Sequence, residues 1–369
     1  MQPIIKIKEG DIEISIPENE KLSGKIPFFN PVMKFNRDFT IAIAKIFKVR
    51  RFLDGLSACG ALSIRLKKEA EDIEVHSNEI SDETIKFLRQ NKEDNNVDII
   101  IHNRDLNLLL NEDGNFDFID IDPFGSPVRF LSNVLLNARH NTIIGITATD
   151  LGTLCGRFGD ACIRRYGTFS SKTGFDKEFG LRNLIGYVAR EAAKYEVGIE
   201  ILFSYYFVHY FKVYFRIKRS RRCADETLRN LNFLLYCDIS MSRKYIAFAD
   251  IGTENFCEQQ RGECGNKFKI LGPIWSGKFA DENVCNLLSN EVKEKTEQKI
   301  LTLVKEEQEI LVPYYDLHKF CKINRLQIKG TDEIIKIARE NGLKSTRTHF
   351  DGTGLRFNGN ADELLKILK

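Results

Sequence analysis

The stretch Phe116-Asp117-Phe118-Ile119-Asp120-Ile121-Asp122-Pro123-Phe124-Gly125 closes an apolar run with a carboxylate, a ring-locked residue, an aromatic ring and a glycine. Apolar residues alternating with acids read as a strand, and Asp122-Pro123-Phe124-Gly125 reads as the turn that ends it. Open parallel sheets carry their chemistry at the carboxyl ends of strands. A hydrogen-bond acceptor beside an aromatic face suits a flat, polar, nitrogen-bearing substrate such as a nucleobase. Taken alone, the same tetrapeptide is equally a strand stopped by a proline turn. The elements around it must decide.

Those elements follow a regular plan. Arg51–Asp54 reads as a short buried strand, followed by the small-residue turn Gly55-Leu56-Ser57-Ala58-Cys59-Gly60 and a helix over 61–71. Strand, small-residue turn and helix form the first unit of a nucleotide-binding α/β fold, although two glycines fall short of the dinucleotide fingerprint. A strand over 73–77 ends at Asn78-Glu79, where an acid can hold both ribose hydroxyls of an adenosine cofactor. A strand over 97–102 ends near Asp105-Leu106, a pair suited to the adenine amino group and the adenine ring. The Asp122 strand comes fourth, followed by a helix over 126–138, and a strand over 142–148 comes fifth. A helix over 177–195 then leads to two adjacent strands, 199–208 and 211–218, expected to pair antiparallel. Five βα units and a terminal antiparallel hairpin predict an α/β fold: a Rossmann-like, doubly wound sheet of the class I methyltransferase type with a terminal antiparallel strand. In that sheet Asp54, Glu79, Asp105 and Asp122 follow successive strands at one edge.

The flanks are less regular. Residues 4–16 read as an Ile-rich hairpin. The segment 26–38, with Phe28-Phe29-Asn30-Pro31, reads as a structured loop that runs into a helix over about 37–48. A boundary near 222 separates a catalytic domain (1–222) from a smaller α+β domain (223–369). At that boundary Lys212, Arg216, Lys218, Arg219, Arg221 and Arg222 crowd together with Tyr210 and Tyr214 between them. That pattern is either a solvated edge or a phosphate-contacting stripe. Beyond it lie strands over 231–237 and 244–249, a turn around Trp275, a long or broken helix over 281–308, a helix starting at 313–318, a helix over 331–340 and a short terminal helix.

Bulk properties narrow the class. The chain has 369 residues, 43% apolar and 29% charged, with a net charge of +3. It lacks a run of about twenty apolar residues and a signal-peptide pattern, so a cytoplasmic protein that does not cross a membrane is expected. Nine cysteines then read as reduced thiols. Cys237, Cys257 and Cys264 do not have paired-knuckle spacing, and no structural metal is expected.

Several ordered motifs together resemble one family. They are Phe28-Phe29-Asn30-Pro31-x-Met33-x-x-Asn36-Arg37-Asp38, Leu56-Ser57-Ala58-x-Gly60-x-x-x-Ile64-Arg65, Asp120-x-Asp122-Pro123-Phe124-Gly125, Thr147-Ala148-Thr149-Asp150, Gly272-Pro273-x-Trp275-x-Gly277 and Pro313-Tyr314-Tyr315-Asp316-x-His318. From about residue 26 to 320 the chain is similar to the tRNA (guanine-26-N2)-dimethyltransferases of archaea and eukaryotes. The resemblance implies S-adenosylmethionine as cofactor and tRNA as substrate, with methylation at the exocyclic N2 of a guanosine. It also implies Asp122 as catalytic carboxylate and Phe28 and Phe124 as walls of a base pocket. Arg37, Arg65, Glu79 and Asp105 become cofactor contacts, with Asp54 and Leu106 beside them. Relatives often carry two paired-cysteine knuckles in the second domain, and this chain keeps neither. Arg219, Arg221 and Arg222 are the expected RNA contacts, and a monomer without an obligate protein partner is expected. Two rivals stand beside this reading. One is an exocyclic-amine methyltransferase acting on adenine or cytosine in rRNA or DNA. The other is a non-catalytic RNA-binding protein on the same fold.

Overall fold

The computed structural model describes residues 4–18, 29–70, 72–251 and 267–369. Alternation of Ile with charge makes β1 (Ile4–Glu9) and β2 (Ile12–Pro17) an antiparallel hairpin. A 3-10 turn at Pro31–Met33, capped by the Asn30 side chain, leads into α1 (Lys34–Ile46). Phe35 and Phe39, one helical turn apart, pack on aromatic side chains of a later strand.

The main sheet then forms as β3 (Arg51–Asp54), β4 (Glu74–Asn78), β5 (Ile100–His102), β6 (Phe118–Ile121), β7 (Ile143–Ala148), β8 (Val197–Phe207) and β9 (Tyr210–Arg219). Between them run α2 (Ala61–Glu69), α3 (Thr84–Asp94), α4 (Leu106–Glu112), α5 (Val128–Asn137), α6 (Leu151–Leu154), α7 (Gly159–Tyr166) and α8 (Asp176–Ala193). The strand order is β5-β4-β3-β6-β7-β9-β8, parallel from β5 to β7, with β9 antiparallel to both neighbours. This is the doubly wound, Rossmann-like methyltransferase sheet with its reversed strand. The chain winds outward from β3 to β5, then returns to start again at β6. The winding therefore reverses between β3 and β6, which is the switch point where open α/β sheets bind ligands.

After β9 come α9 (Arg221–Leu228), the antiparallel sheet β11-β10-β12, made of β10 (Leu231–Tyr236), β11 (Arg243–Ala247) and β12 (Lys269–Trp275), then α10 (Glu282–Glu291) and α11 (Lys295–Glu307). A small sheet of order β13-β15-β14 follows, from β13 (Tyr315–Asp316), β14 (Ser345–Arg347) and β15 (Gly354–Phe357), interleaved with α12 (Leu317–Asn324), α13 (Thr331–Glu340) and closed by α14 (Ala361–Leu368). Two expectations change here. The Gly272-Pro273 stretch lies inside strand β12, at the irregularity in its pairing with β10, and not in a free turn. The long charged helix is two helices, because Glu294 and Glu297 form a capping box that starts α11 afresh.

α9 straddles the expected boundary at 222 and packs on β8, where the Thr227 hydroxyl accepts from the Ile199 amide at 3.0 Å. The second part is clamped to α8 by buried charge. Arg182 of α8 donates to the carbonyls of Trp275, Gly277 and Leu311. Arg356 pairs with both Glu178 of α8 and Glu307 of α11. No helix among the described residues is long and apolar enough to cross a membrane.

Candidate active site

Asp122 leaves β6 half-buried at the switch point, and the Asn36 side-chain amide of α1 donates to its Oδ2 at 3.1 Å. Asn36 is itself buried, and the Tyr214 hydroxyl of β9 lies 3.3 Å from Asn36 Oδ1 and 2.7 Å from the Thr40 hydroxyl. With Oδ1 occupied by a donor, the NH2 of Asn36 is left to face Asp122. Burial pushes the Asp122 carboxyl above the ordinary range, against the lowering effect of the Lys212 charge and of hydrogen bonds from Thr147 and Asn36. The turn that follows is pinned: Gly125 N donates to the Thr149 hydroxyl at 2.8 Å, and Thr149 N donates to Gly125 O at 2.9 Å. Phe124 is 71% exposed, so its ring is presented outward beside the carboxylate.

Beneath Asp122 lies a buried ion pair. Lys212 of β9 bonds Asp120 Oδ1 at 2.6 Å and the Thr147 hydroxyl at 3.2 Å, and neither Lys212 nor Asp120 reaches solvent appreciably. The two come from strands on either side of β7, so the pair must cross it. It crosses at Gly145, where an added Cβ would lie 2.2 Å from Asp120 Oδ1. Burial raises Asp120 to about 6 even with Lys212 beside it. Asp54, at the end of β3, is buried, receives the Ser63 hydroxyl at 2.7 Å and is pushed up to about 7 by burial and by the charges of Asp120 and Asp122. The switch point is therefore an acidic floor held by one lysine.

On the β3–β5 side, the strand ends are stitched together. Gly55 N bonds Asp120 O, Ser57 N bonds Asn78 O, and Glu79 N bonds His102 O. A Cβ on Gly55 would come within 3.0 Å of Asp120 O and 2.9 Å of Leu106, so the loop lies close against both. Ala58 in that loop adopts φ 47°, a left-handed conformation that a non-glycine residue holds only under constraint. Glu79 stands half-buried above the loop. Burial raises its carboxyl, against backbone amides of Ser81, Ala58 and Ile80. Asp105 caps α4 through the Asn107 amide, and Leu106 is buried behind it. The Asn78 side-chain oxygen is buried and lacks a partner among the described residues. This cradle, with carboxylates spaced along successive strand ends, fits an adenosine-bearing cofactor.

Arg37 and Arg65 meet on Glu9 of the N-terminal hairpin. Arg37 Nε bonds Glu9 Oε1 at 2.7 Å, and Arg65 Nη1 bonds the same oxygen at 2.9 Å. Arg65 also pairs with Asp38 and Glu69. Burial opposes the charge on Glu9, yet the two guanidiniums hold it below the ordinary range. Both arginines thus have carboxylate partners from this chain.

Other sites read from the sequence are not brought together here. Phe28, Cys257 and Cys264 lie outside the described residues. Arg219, Arg221 and Arg222, the expected RNA contacts, lie away from the Asp122 turn. β9 runs opposite to the parallel strands, with Phe211 beside Ala148 at the site edge. Arg219 lies eight residues further along, about 26 Å away at the opposite edge of the sheet. Its guanidinium bonds the carbonyls of Leu135 and Ala138 at the end of α5, while Arg221 and Arg222 pair on the surface with Glu196 and Glu226. Lys212, read as part of the same stripe, is buried on Asp120 because it lies seven residues nearer the site. The sequence reading gave Asn36, Tyr214 and Lys212 no role at the site. Asn36 stood inside the Asn36-Arg37-Asp38 motif; nothing local marks the other two, since their partners come from strands and helices distant in the chain.

A family model described as N2,N2-dimethylguanosine tRNA methyltransferase matches residues 6–369. A protein of Pyrococcus horikoshii named tRNA (guanine(26)-N(2))-dimethyltransferase is 32% identical over 99% of this chain and 98% of its own length. One of the same name from Thermococcus kodakarensis is 33% identical, covering 99% of both chains. The solved structure of Trm1 from Pyrococcus horikoshii in complex with S-adenosyl-L-methionine superposes with a TM-score of 0.86 at 31% identity, covering 99% of this chain and 100% of that one. The chain belongs to the N2,N2-dimethylguanosine tRNA methyltransferase family.

Proposed function

We propose that the protein is an S-adenosylmethionine-dependent tRNA (guanine(26)-N2)-dimethyltransferase. The observation that carries the reading is Asp122, half-buried, held by Asn36 and flanked by the exposed Phe124 ring at the switch point. Bound in the cradle, S-adenosylmethionine supplies an electrophilic methyl group. The 55–60 loop, Asp54, Glu79, Asp105 and Leu106 would hold it, with Arg37 and Arg65 contributing from the network around Glu9.

The exocyclic amine of guanine is a weak nucleophile because its lone pair is delocalised into the ring. Asp122 accepts a hydrogen bond from that amine, fixes its direction and takes the proton released on methyl transfer. Its raised affinity for a proton suits it to the second role. Phe124 stacks the extruded purine, a contribution of roughly 1–3 kcal/mol per base. A guanosine within folded tRNA has to leave its stack to reach this pocket. Positioning alone contributes on the order of 7 kcal/mol at the favourable end. In this reading the protein acts as a monomer. A cytoplasmic setting suits the buried thiols of Cys59 and Cys285, whose burial pushes them up to about 11 and about 12. The chain divides, in this reading, into a catalytic part ending near α9 and a tRNA-binding α+β part.

The test is transfer of labelled methyl groups from S-adenosylmethionine to unmodified tRNA, followed by mapping of the modified nucleoside. Label in N2-methyl- and N2,N2-dimethylguanosine at position 26 is expected. Label in adenosine or cytidine, or no transfer to any nucleic acid, would overturn the reading.

A further inference from the structure

Between residues 157 and 172 the chain carries four cations, Arg157, Arg164, Arg165 and Lys172, against one acid, Asp160. All four cations are exposed. The rings of Phe158 and Phe169 are 53% and 58% exposed on the same stretch. The Arg157 guanidinium stands over the Phe158 ring at 5.4 Å. That ring lies against α6, since a Cβ on Gly152 would meet it at 2.7 Å. Arg164 has no ion-pair partner among the described residues.

This segment is tied to the turn that carries Asp122 and Phe124. The Tyr166 hydroxyl, at the end of α7, sits 2.7 Å from the Ser126 hydroxyl and donates to Asp150 Oδ1 at 2.8 Å. Arg165 bonds the other oxygen of Asp150 at 3.2 Å. Ser126 is four residues beyond Asp122, and Asp150 follows the Thr149 that pins Gly125. The basic, aromatic lip and the base pocket are therefore parts of one hydrogen-bonded unit.

Exposed guanidiniums recognise phosphates, and exposed rings recognise the faces of unstacked bases. An extruded nucleotide exposes both next to the pocket that receives it. We infer that the 157–169 lip, not the Arg219–Arg222 stripe, grips the tRNA beside the extruded guanosine. Arg157 and Arg164 take flanking phosphates, and Phe158 and Phe169 offer faces to neighbouring bases. The inference rests on the tRNA substrate proposed above.

The test measures tRNA affinity across salt concentrations, and kcat and KM for tRNA at saturating S-adenosylmethionine. R157A/R164A should bind tRNA at least tenfold more weakly, with the slope of log affinity against log salt reduced by about 1.4–1.8 for two lost phosphate contacts. Its affinity for S-adenosylmethionine should stay as in wild type, which also reports that it folds. R157K/R164K should recover most of the tRNA binding. F158A and F169A should raise KM without changing the salt slope. R221A/R222A, at the far edge, should bind within threefold of wild type. Wild-type affinity and slope in R157A/R164A would overturn the inference, as would an equal loss in R221A/R222A. Competition by polyglutamate as effective as by tRNA would assign the lip to an acidic protein instead. Because binding is read without turnover, a wild-type protein that grips tRNA through this lip but transfers no methyl would sink the proposed activity and leave the lip standing.

Discussion

Asn36 donates its side-chain amide to Asp122 at 3.1 Å, and Tyr214 decides which way that amide faces. The contact joins α1 to the turn after β6 across 86 residues of chain. A hydrogen bond to a charged group contributes about 1.5–3 kcal/mol. N36A should therefore lower kcat ten- to hundredfold and leave the KM for S-adenosylmethionine unchanged. The bond from Asn36 stabilises the ionised carboxylate, so its loss should move the acidic limb of the pH–rate profile to higher pH. An unshifted limb in N36A would show that Asn36 does not act through Asp122.

Asp122 itself admits a sharper test. D122N keeps the size and an acceptor oxygen but removes the charge and the base. It should abolish methyl transfer, with binding of tRNA and of S-adenosylmethionine close to wild type. D122A should do the same. Measurable turnover near the wild-type rate in either variant, followed with labelled cofactor, would remove Asp122 from the chemistry.

The crossing of Asp120 and Lys212 over Gly145 is a stability device. G145A would place a methyl group 2.2 Å from Asp120 Oδ1 and force the pair apart. K212M leaves Asp120 buried without its counter-charge, and breaking a buried pair this way costs about 3–5 kcal/mol. Both variants should lose stability of that order in urea unfolding, and D120N/K212M should recover part of it. Equal loss in the single and double variants would mean that packing, not charge, accounts for the effect.

Much of this architecture was legible in the sequence, and the reason is local. The strand Arg51–Asp54, the helix Thr331–Glu340 and the strand-end acids follow from period and turn chemistry within a dozen residues. The Asp122 turn was legible as a turn from its own four residues and the strand before it, and as a site only with the elements around it. What was not legible is position that depends on strand direction. A run of basic residues on β9 looks continuous, but a strand that runs against its neighbours carries one end into the site and the other to the far edge. Lys212 and Arg219 therefore share a sequence cluster and no environment. The turn expected around Trp275 failed for a related reason: Trp275 ends a strand held by pairing with Leu231 of β10, and that partner is about forty residues earlier in the chain. The Arg37 and Arg65 expectation did not include Glu9, because nothing local ties a hairpin acid to two helix arginines.

Asp54 sets a pH dependence whose sign can be worked out. Its carboxyl is raised to about 7 in the fold by burial, then by Asp120 and Asp122, while an unfolded aspartate titrates near 3.9. Below the unfolded value both states hold the proton, and the group costs the fold nothing. Between about 4 and 7 the unfolded chain releases the proton and the folded chain keeps it, so stability falls as pH rises. The loss approaches about 4 kcal/mol by pH 7, at 1.36 kcal/mol per pKa unit, and is constant above it. Asp120, raised to about 6, adds a slope of the same sign over a narrower window. Glu307 works in the opposite sense at lower pH. Burial opposes its charge, but His349 and Arg356 hold it down to about 2, so its contribution is lost as pH falls below about 4 toward 2. Taken together, these three groups favour the fold of the cofactor-free protein most near pH 4–5, and their contribution falls on both sides. D54N, which cannot ionise, should flatten the fall between pH 4 and 7 and leave the acid side unchanged. Urea midpoints across that range decide the matter; a D54N curve parallel to wild type would mean that Asp54 carries no such charge cost.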